Sequence, residues 1–108
     1  MAVETERREE VVERGEVYGP GLPVRVHVVR RGRRVDIHDD GEAVRRAGRP
    51  AKWLERAQEV AAAEALNVNR RGVVFVPTYE GRDTEALTAR LAATSGRLYA
   101  ELLELDPE

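Results

Sequence analysis

The residues with the clearest capacity for chemistry lie close together near the middle of the chain. His27, Asp36 and His38 supply two imidazoles and a carboxylate, and further acidic residues follow His38 directly. Imidazole nitrogens and carboxylate oxygens bind divalent cations and transfer protons near neutral pH. Strand alternation places the three side chains on one sheet face, where cross-strand ion pairs are the simpler interpretation. A metal-dependent enzyme is therefore the third hypothesis for function.

A second group of residues, four arginines around one glycine, has the chemistry to bind phosphate. The four are Arg30, Arg31, Arg33 and Arg34. Clustered guanidinium groups favour nucleic-acid contact, and five other arginines would extend the patch if folding brought them near: Arg45, Arg46, Arg49, Arg70 and Arg71. The net charge of −2 and the lack of interleaved aromatic residues weigh against this. A nucleic-acid-associated accessory protein is the second hypothesis.

Other catalytic devices are missing from the sequence. The chain has no Cys, which excludes disulfides and thiolate chemistry and favours a reducing cytoplasm. Its single serine, Ser95, has no nucleophile elbow around it. The stretch Gly19-Pro20-Gly21 lacks the lysine and helix of a phosphate-binding loop. We predict no catalytic residue, no cofactor and, because the apolar runs are short, no membrane partner.

The charge distribution divides the chain into parts. Residues 1–16 carry six acidic and three basic residues, and residues 22–56 carry five acidic and ten basic residues. The polar residues 1–16 predict an N-terminal helix or a mobile arm. A break rich in glycine and proline follows, and residues 17–108 are predicted to form one α+β domain.

A β-hairpin leading into a short helix is predicted at the start of this domain. Period-two alternation from Val24 and a two-residue turn at Arg31-Gly32 pair Val28 with Val35. That register also sets His27 opposite Asp36. Asp39 then matches a helix N-cap, with Glu42 three residues later, and Gly48 ends the helix.

The second half of the chain predicts two more helices around a second hairpin. The first helix buries Trp53, Leu54, Ala57, Val60, Ala61 and Leu66. The hairpin turns at residues 69–72 and ends at Pro77. The last helix is capped by Asp83 and carries the stripe Leu87, Leu91, Leu98, Leu102 and Leu105. The resulting α+β order is (α)ββααββα, a small antiparallel sheet of two hairpins packed against helices.

The junction between the first hairpin and its helix resembles a known kind of domain. The segment from Val26 through Ile37 to Asp39-Asp40-Gly41-Glu42 and Gly48 is similar to small bacterial domains of unknown function. In those domains a hairpin runs into an Asp-Asp-Gly turn and a short helix. His38 stands where they have a small hydroxyl residue. The resemblance implies no activity and no functional residue.

The leading hypothesis for function follows from what the sequence contains and lacks. Residues that favour folding dominate, and no catalytic set is complete. We therefore expect a small, non-enzymatic bacterial protein of the cytoplasm that acts as a protein-interaction or regulatory module. Its partner is an unknown protein or a second copy of itself, as a homo-oligomer.

Overall fold

The computed structural model describes residues 7–105 as an α+β protein, as predicted. Its elements are β1 (Arg7–Gly19), β2 (Leu22–Arg31), β3 (Arg34–His38), α1 (Glu42–Ala47), α2 (Trp53–Ala63), β4 (Asn67–Val68), β5 (Val74–Tyr79) and α3 (Thr84–Leu103). Among these residues no helix is long and apolar enough to cross a membrane.

All strands belong to one antiparallel sheet in the order β1-β2-β3-β5-β4. The helices pack on one face of this sheet. Strand alternation gives that face the buried side chains of Val24, Val26, Val28, Val35, Ile37 and Val74. The predicted two hairpins are present as β2–β3 and β4–β5, and β1 adds a fifth strand at the edge.

Strand β1 corrects the prediction for the N-terminal residues. A helix or mobile arm was expected over residues 1–16, but Arg7 to Glu16 form part of an edge strand, while residues 1–6 lie outside the described residues. Most of β1 is solvent-exposed, so it lacks the apolar alternation that marks a half-buried strand. The ordered domain thus begins at least ten residues earlier than position 17.

The register of the β2–β3 hairpin also differs from the prediction. The two-residue turn is Gly32-Arg33 instead of Arg31-Gly32, so Val28 lies opposite Ile37 and His27 lies opposite His38. Gly32 has a φ of 60°, and a tight hairpin turn favours glycine at the first central position for this reason. Moving the turn by one residue keeps every side chain on its predicted face but changes its partner.

Asp39 is buried and does not cap α1 as predicted. The N-cap of α1 is Gly41, which makes no side-chain cap hydrogen bond. The Asp39 carboxylate instead accepts hydrogen bonds from the backbone N–H groups of Gly41 and Val74 and from the Ser95 hydroxyl. It therefore joins the end of β3 to β5 and α3. Gly48 ends α1 in the left-handed conformation, as predicted.

Helices α2 and α3 confirm their predicted buried faces. Ala57, Val60 and Ala61 of α2 are buried as predicted, whereas Trp53 and Leu54 are only partly buried, and Leu66 is buried but lies after the end of α2. The Asp83 side chain caps α3 by accepting from Ala86 N at 3.0 Å. Of the predicted leucine stripe, three are fully buried: Leu91, Leu98 and Leu102. A Cβ at Gly96 would lie 3.5 Å from the carbonyl oxygen of Val17, an ordinary contact distance, so the packing of α3 on β1 does not require glycine at this position.

Strand β5 continues past Pro77, where the sequence predicted its end. It runs to Tyr79 and pairs with β3 from Phe75 to Tyr79. On its other side only Phe75 and Val74 have partners, in the two-residue strand β4. Pro77 therefore stands at an open edge, where a missing N–H costs no ladder hydrogen bond.

Candidate functional site

The candidate site lies on the face of the sheet opposite to the helices, which we call the open face. Cross-strand pairing arranges its side chains in rows that run across the strands. The first row is Arg7, Arg31, Arg34 and Tyr79; the second is Glu9, Val29, Asp36 and Pro77; the third is Val11, His27, His38 and Phe75. Only Val29 in these rows is buried. The open face thus presents charged, imidazole and aromatic groups to solvent.

Six arginines gather at one end of the sheet, which we call the arginine end. The predicted four are joined by Arg7 and Arg8, because β1 pairs Arg7 with Arg31 and Arg8 with Arg30. The arginine end therefore comprises Arg7, Arg8, Arg30, Arg31, Arg33 and Arg34. Alternation places Arg7, Arg31 and Arg34 on the open face and Arg8 and Arg30 on the opposite face, while Arg33 lies in the turn. Arg7 and Arg8 were not predicted to lie there, because their placement depends on the unpredicted strand β1.

Acidic neighbours pair with only part of the arginine end. Arg7 lies 3.3 Å from Glu9, Arg30 lies 3.3 Å from Glu10, and Arg34 lies 3.1 Å from Asp36. The side chains of Arg31 and Arg33 make no hydrogen bond or ion pair with another described residue. Exposed ion pairs contribute about 1 kcal/mol or less, so a phosphate can displace the acidic partners at small cost.

The other arginines do not extend this patch, contrary to the expectation from sequence. Arg70 and Arg71 lie in the turn before β5, at the end of the sheet opposite to the arginine end. The three arginines of the α1 region bond elsewhere: Arg45 to Asp40 O, Arg46 to Glu42, and Arg49 to Arg71 O. The candidate phosphate-binding surface is confined to one end.

Aromatic side chains reach the open face from β5, although none stands near the four hairpin arginines in the sequence. Tyr79 lies opposite Arg34 and is 65% exposed. Phe75 lies opposite His38 and is half-buried. The period-two placement of Phe75, Pro77 and Tyr79 was visible in the sequence. Their adjacency to β3 required knowledge that β3 and β5 are neighbours.

His27 and His38 form a stacked pair on the open face. Their ring centroids are 4.9 Å apart and their planes differ by 3°. His27 Nδ1 donates to Glu9 Oε2 at 2.8 Å, and His38 Nδ1 accepts from the backbone N–H of Asp40 at 3.0 Å. Glu9 therefore takes the place that the sequence gave to Asp36, whose carboxylate bonds Arg34 instead.

The ionisation of this cluster is set by burial and by the histidine pair. Burial, and then the neighbouring His27, lower the pKa of His38. The hydrogen bond from His27 holds the pKa of Glu9 below its usual value, with Arg7 adding to the effect. At neutral pH the cluster is therefore a neutral His38 beside a hydrogen-bonded Glu9–His27 pair.

The cluster of Glu9, His27 and His38 has the composition of a metal site but not the geometry. Their ligand atoms lie within 4.8 Å of one another. A metal ion must lie in the plane of each imidazole that binds it, and two stacked parallel rings share no such point. His38 Nδ1 also accepts a hydrogen bond, so the neutral ring keeps its proton on Nε2 and has no free lone pair. A hydrogen-bonded histidine stack fits these contacts better.

The single serine of the chain does not lie near the histidines. The Glu9–His27 pair resembles an oriented general base. Ser95, however, is completely buried and donates to Asp39 Oδ2 at 2.7 Å, while Tyr18 donates to Ser95. This network lies in the core, on the other side of the sheet from the histidines.

A shallow cleft of about 400 Å³ adjoins the open face beside Tyr79. It lies between the open edge of β5 and the beginning of α3, and Arg82 and Arg90 line it. Asp83 also lines the cleft but is engaged as the cap of α3. The cleft therefore adds positive charge next to the exposed aromatic ring.

No protein-family model, curated protein or solved structure matches the chain.

Proposed function

We propose that this protein is a nucleic-acid-associated accessory protein that holds the phosphate backbone with its arginine end. The observation that carries the proposal is the first row, in which Arg7, Arg31 and Arg34 lie directly opposite one another on three neighbouring strands. Guanidinium groups bind phosphate oxygens strongly and in defined geometry. Three strands of one sheet hold these groups in fixed register.

The three arginines of the first row lower the stability of the free protein. Like charges directly opposite each other on a sheet are destabilising, and Arg31 has no acidic partner among the described residues to offset this. A polyanion would relieve the repulsion by neutralising all three groups. Binding and folding therefore favour different residues at position 31, as expected for a functional position.

This proposal reverses the order of the first two hypotheses from sequence. A protein-interaction module or homo-oligomer was favoured there because residues that favour folding dominate and no catalytic set is complete, while the net charge of −2 and the lack of interleaved aromatic residues weighed against nucleic acid. Arg7 and Arg8 now join the four hairpin arginines, and Tyr79 lies beside Arg34 on the open face, which favours nucleic acid. The protein would act without catalysis, in a reducing compartment such as the bacterial cytoplasm.

The test compares two variants of equal charge. Arg31→Ser with Arg33→Ser removes two guanidinium groups at the arginine end, and Arg70→Ser with Arg71→Ser removes two from the turn at the opposite end of the sheet. None of the four side chains has a described ion-pair partner. Binding to single-stranded RNA is measured by fluorescence anisotropy across a salt series.

We expect wild-type affinity to fall as salt rises. The variant with Arg31→Ser and Arg33→Ser should make the slope of log K against log salt less steep by about 1.4. The second variant should leave the slope nearly unchanged. Equal effects of the two variants would show only unspecific attraction and would contradict the proposal. Salt-insensitive or absent binding, with a dimer mass in solution, would return the protein-interaction module to first place.

A further inference from the structure

The geometry points to single-stranded nucleic acid as the occupant of the open face, with one base stacked on Tyr79. This inference rests on the proposed function and adds a strand preference to it. Tyr79 ends the first row, next to Arg34, and 65% of its surface is exposed. Large exposed aromatic rings beside phosphate-binding groups are typical of single-strand binding surfaces.

The dimensions of the first row suit a strand that crosses the sheet. Neighbouring strands lie about 4.8 Å apart, so the four side chains from Arg7 to Tyr79 span about 14 Å. Phosphates along this line would meet guanidinium groups at successive strands. The base that follows would then meet the ring of Tyr79 and not another charge.

Only a single strand can use both kinds of contact. A duplex offers the same phosphates to the arginine end, but its bases are stacked on one another and are not free to pack on Tyr79. The arginines therefore supply affinity for either form, while the tyrosine supplies the preference for the single strand.

The neighbouring groups leave Tyr79 available for a base. Pro77, two residues earlier on the same face, is small and exposed, and Phe75 is half-buried beside His38. Arg34, which faces Tyr79, directs its guanidinium to Asp36 at 3.1 Å. The cleft lined by Arg82 and Arg90 begins at the other side of the ring.

The experiment uses Tyr79→Ala, Tyr79→Phe and a control, Leu103→Ala. Leu103 is another exposed large apolar residue, 55% accessible, and lies at the end of α3. Each protein is titrated into a mixed-sequence RNA of about 12 nucleotides and into the same RNA annealed to its complement. Thermal unfolding of each variant verifies that the exposed substitution leaves the fold intact.

We expect wild-type protein to bind the single strand more tightly than the duplex. Tyr79→Ala should weaken single-strand binding by about tenfold and leave duplex binding unchanged, because one stacked base is lost. Tyr79→Phe and Leu103→Ala should bind as wild type does. Equal affinity of the wild type for both forms, or an unaffected Tyr79→Ala, would overturn the inference. The proposed function would survive that result if the Arg31 and Arg33 substitutions still lower the salt slope.

Discussion

Asp39 was predicted to cap a helix, but its carboxylate lies in the core and accepts hydrogen bonds there. Its Oδ1 accepts from Gly41 N at 2.8 Å and Val74 N at 2.9 Å, and its Oδ2 accepts from Ser95. Tyr18 completes the chain by donating to Ser95 at 2.8 Å. Every polar atom of this buried network has a partner, which is the condition for keeping a carboxylate in a core.

Replacing Asp39 should separate the loss of hydrogen bonds from the loss of charge. Asp39→Ala leaves two backbone N–H groups and a hydroxyl without an acceptor, and we expect it to lower the free energy of unfolding by about 3 kcal/mol or more. In Asp39→Asn the amide oxygen accepts both N–H groups and the amide nitrogen donates to Ser95, so the cost should be much smaller. Urea unfolding measures both variants.

The stabilities of wild type and Asp39→Asn should depend differently on pH. Burial raises the pKa of Asp39 above its ordinary value of 3.8. The folded state then binds this proton more tightly than the unfolded state, so the contribution to stability is complete below pH 3.8 and is lost as pH rises through the folded pKa. The stability of wild type minus that of Asp39→Asn should fall over this range. A constant difference would contradict the assignment.

At the scale of elements, the turn between β4 and β5 packs against α1 through a glycine. Gly72 has a φ of +88°, and a Cβ there would lie 2.9 Å from Val44 Cβ. Gly81 has a similar φ of +92° but open space around it. The two positions therefore share backbone strain and differ in packing.

Alanine at each of these glycines should show the difference. Gly81→Ala should cost about 1–2 kcal/mol from strain in the left-handed region alone. Gly72→Ala should cost clearly more, because α1 and the turn must also move apart. Denaturant unfolding of both variants gives the comparison. Equal losses of stability would mean that α1 can move away from the turn without a loss of free energy, so that the close contact at Gly72 does not stabilise the protein.

The elements differ in how far the sequence determined them. The faces of α2 and α3, the Asp83 cap and the end of α1 at Gly48 followed from local patterns and are confirmed. The hairpin register did not, because two placements of a two-residue turn keep the same alternation. Only the backbone preference of Gly32 distinguishes them.

The candidate site depended on contacts between distant parts of the chain, which explains why it was predicted only in part. The four hairpin arginines and the two histidines were local and were found. Glu9 and Arg7 joined them through an edge strand whose charged residues gave no strand signal. Tyr79 joined through the pairing of β3 with β5, which no local pattern indicates.

At the scale of the whole molecule, the acidic charge near the start of the sequence pairs with basic charge of the following segment, because β1 lies beside β2 in the sheet. Acidic residues of β1 meet basic residues of β2: Glu13 with Arg25 at 3.1 Å, Glu9 with His27 at 2.8 Å and Glu10 with Arg30 at 3.3 Å. Two of the three arginines of β2, Arg25 and Arg30, thereby have an acidic partner on β1. Arg31, opposite Arg7 and Arg34, is the exception.

This exception predicts that one substitution has different effects on stability at two sites of the same strand. Arg25 and Arg31 both point to the open face of β2, so exchange for Thr gives each the same gain in strand propensity. Arg31→Thr also removes like-charge repulsion and should stabilise the protein by about 0.2–1 kcal/mol while weakening RNA binding. Arg25→Thr also loses the ion pair with Glu13 and should be less stable than Arg31→Thr. Urea unfolding and RNA titration of both variants measure these quantities. If Arg31→Thr lowered stability, Arg31 would itself stabilise the sheet, and stability would no longer favour a different residue at this position.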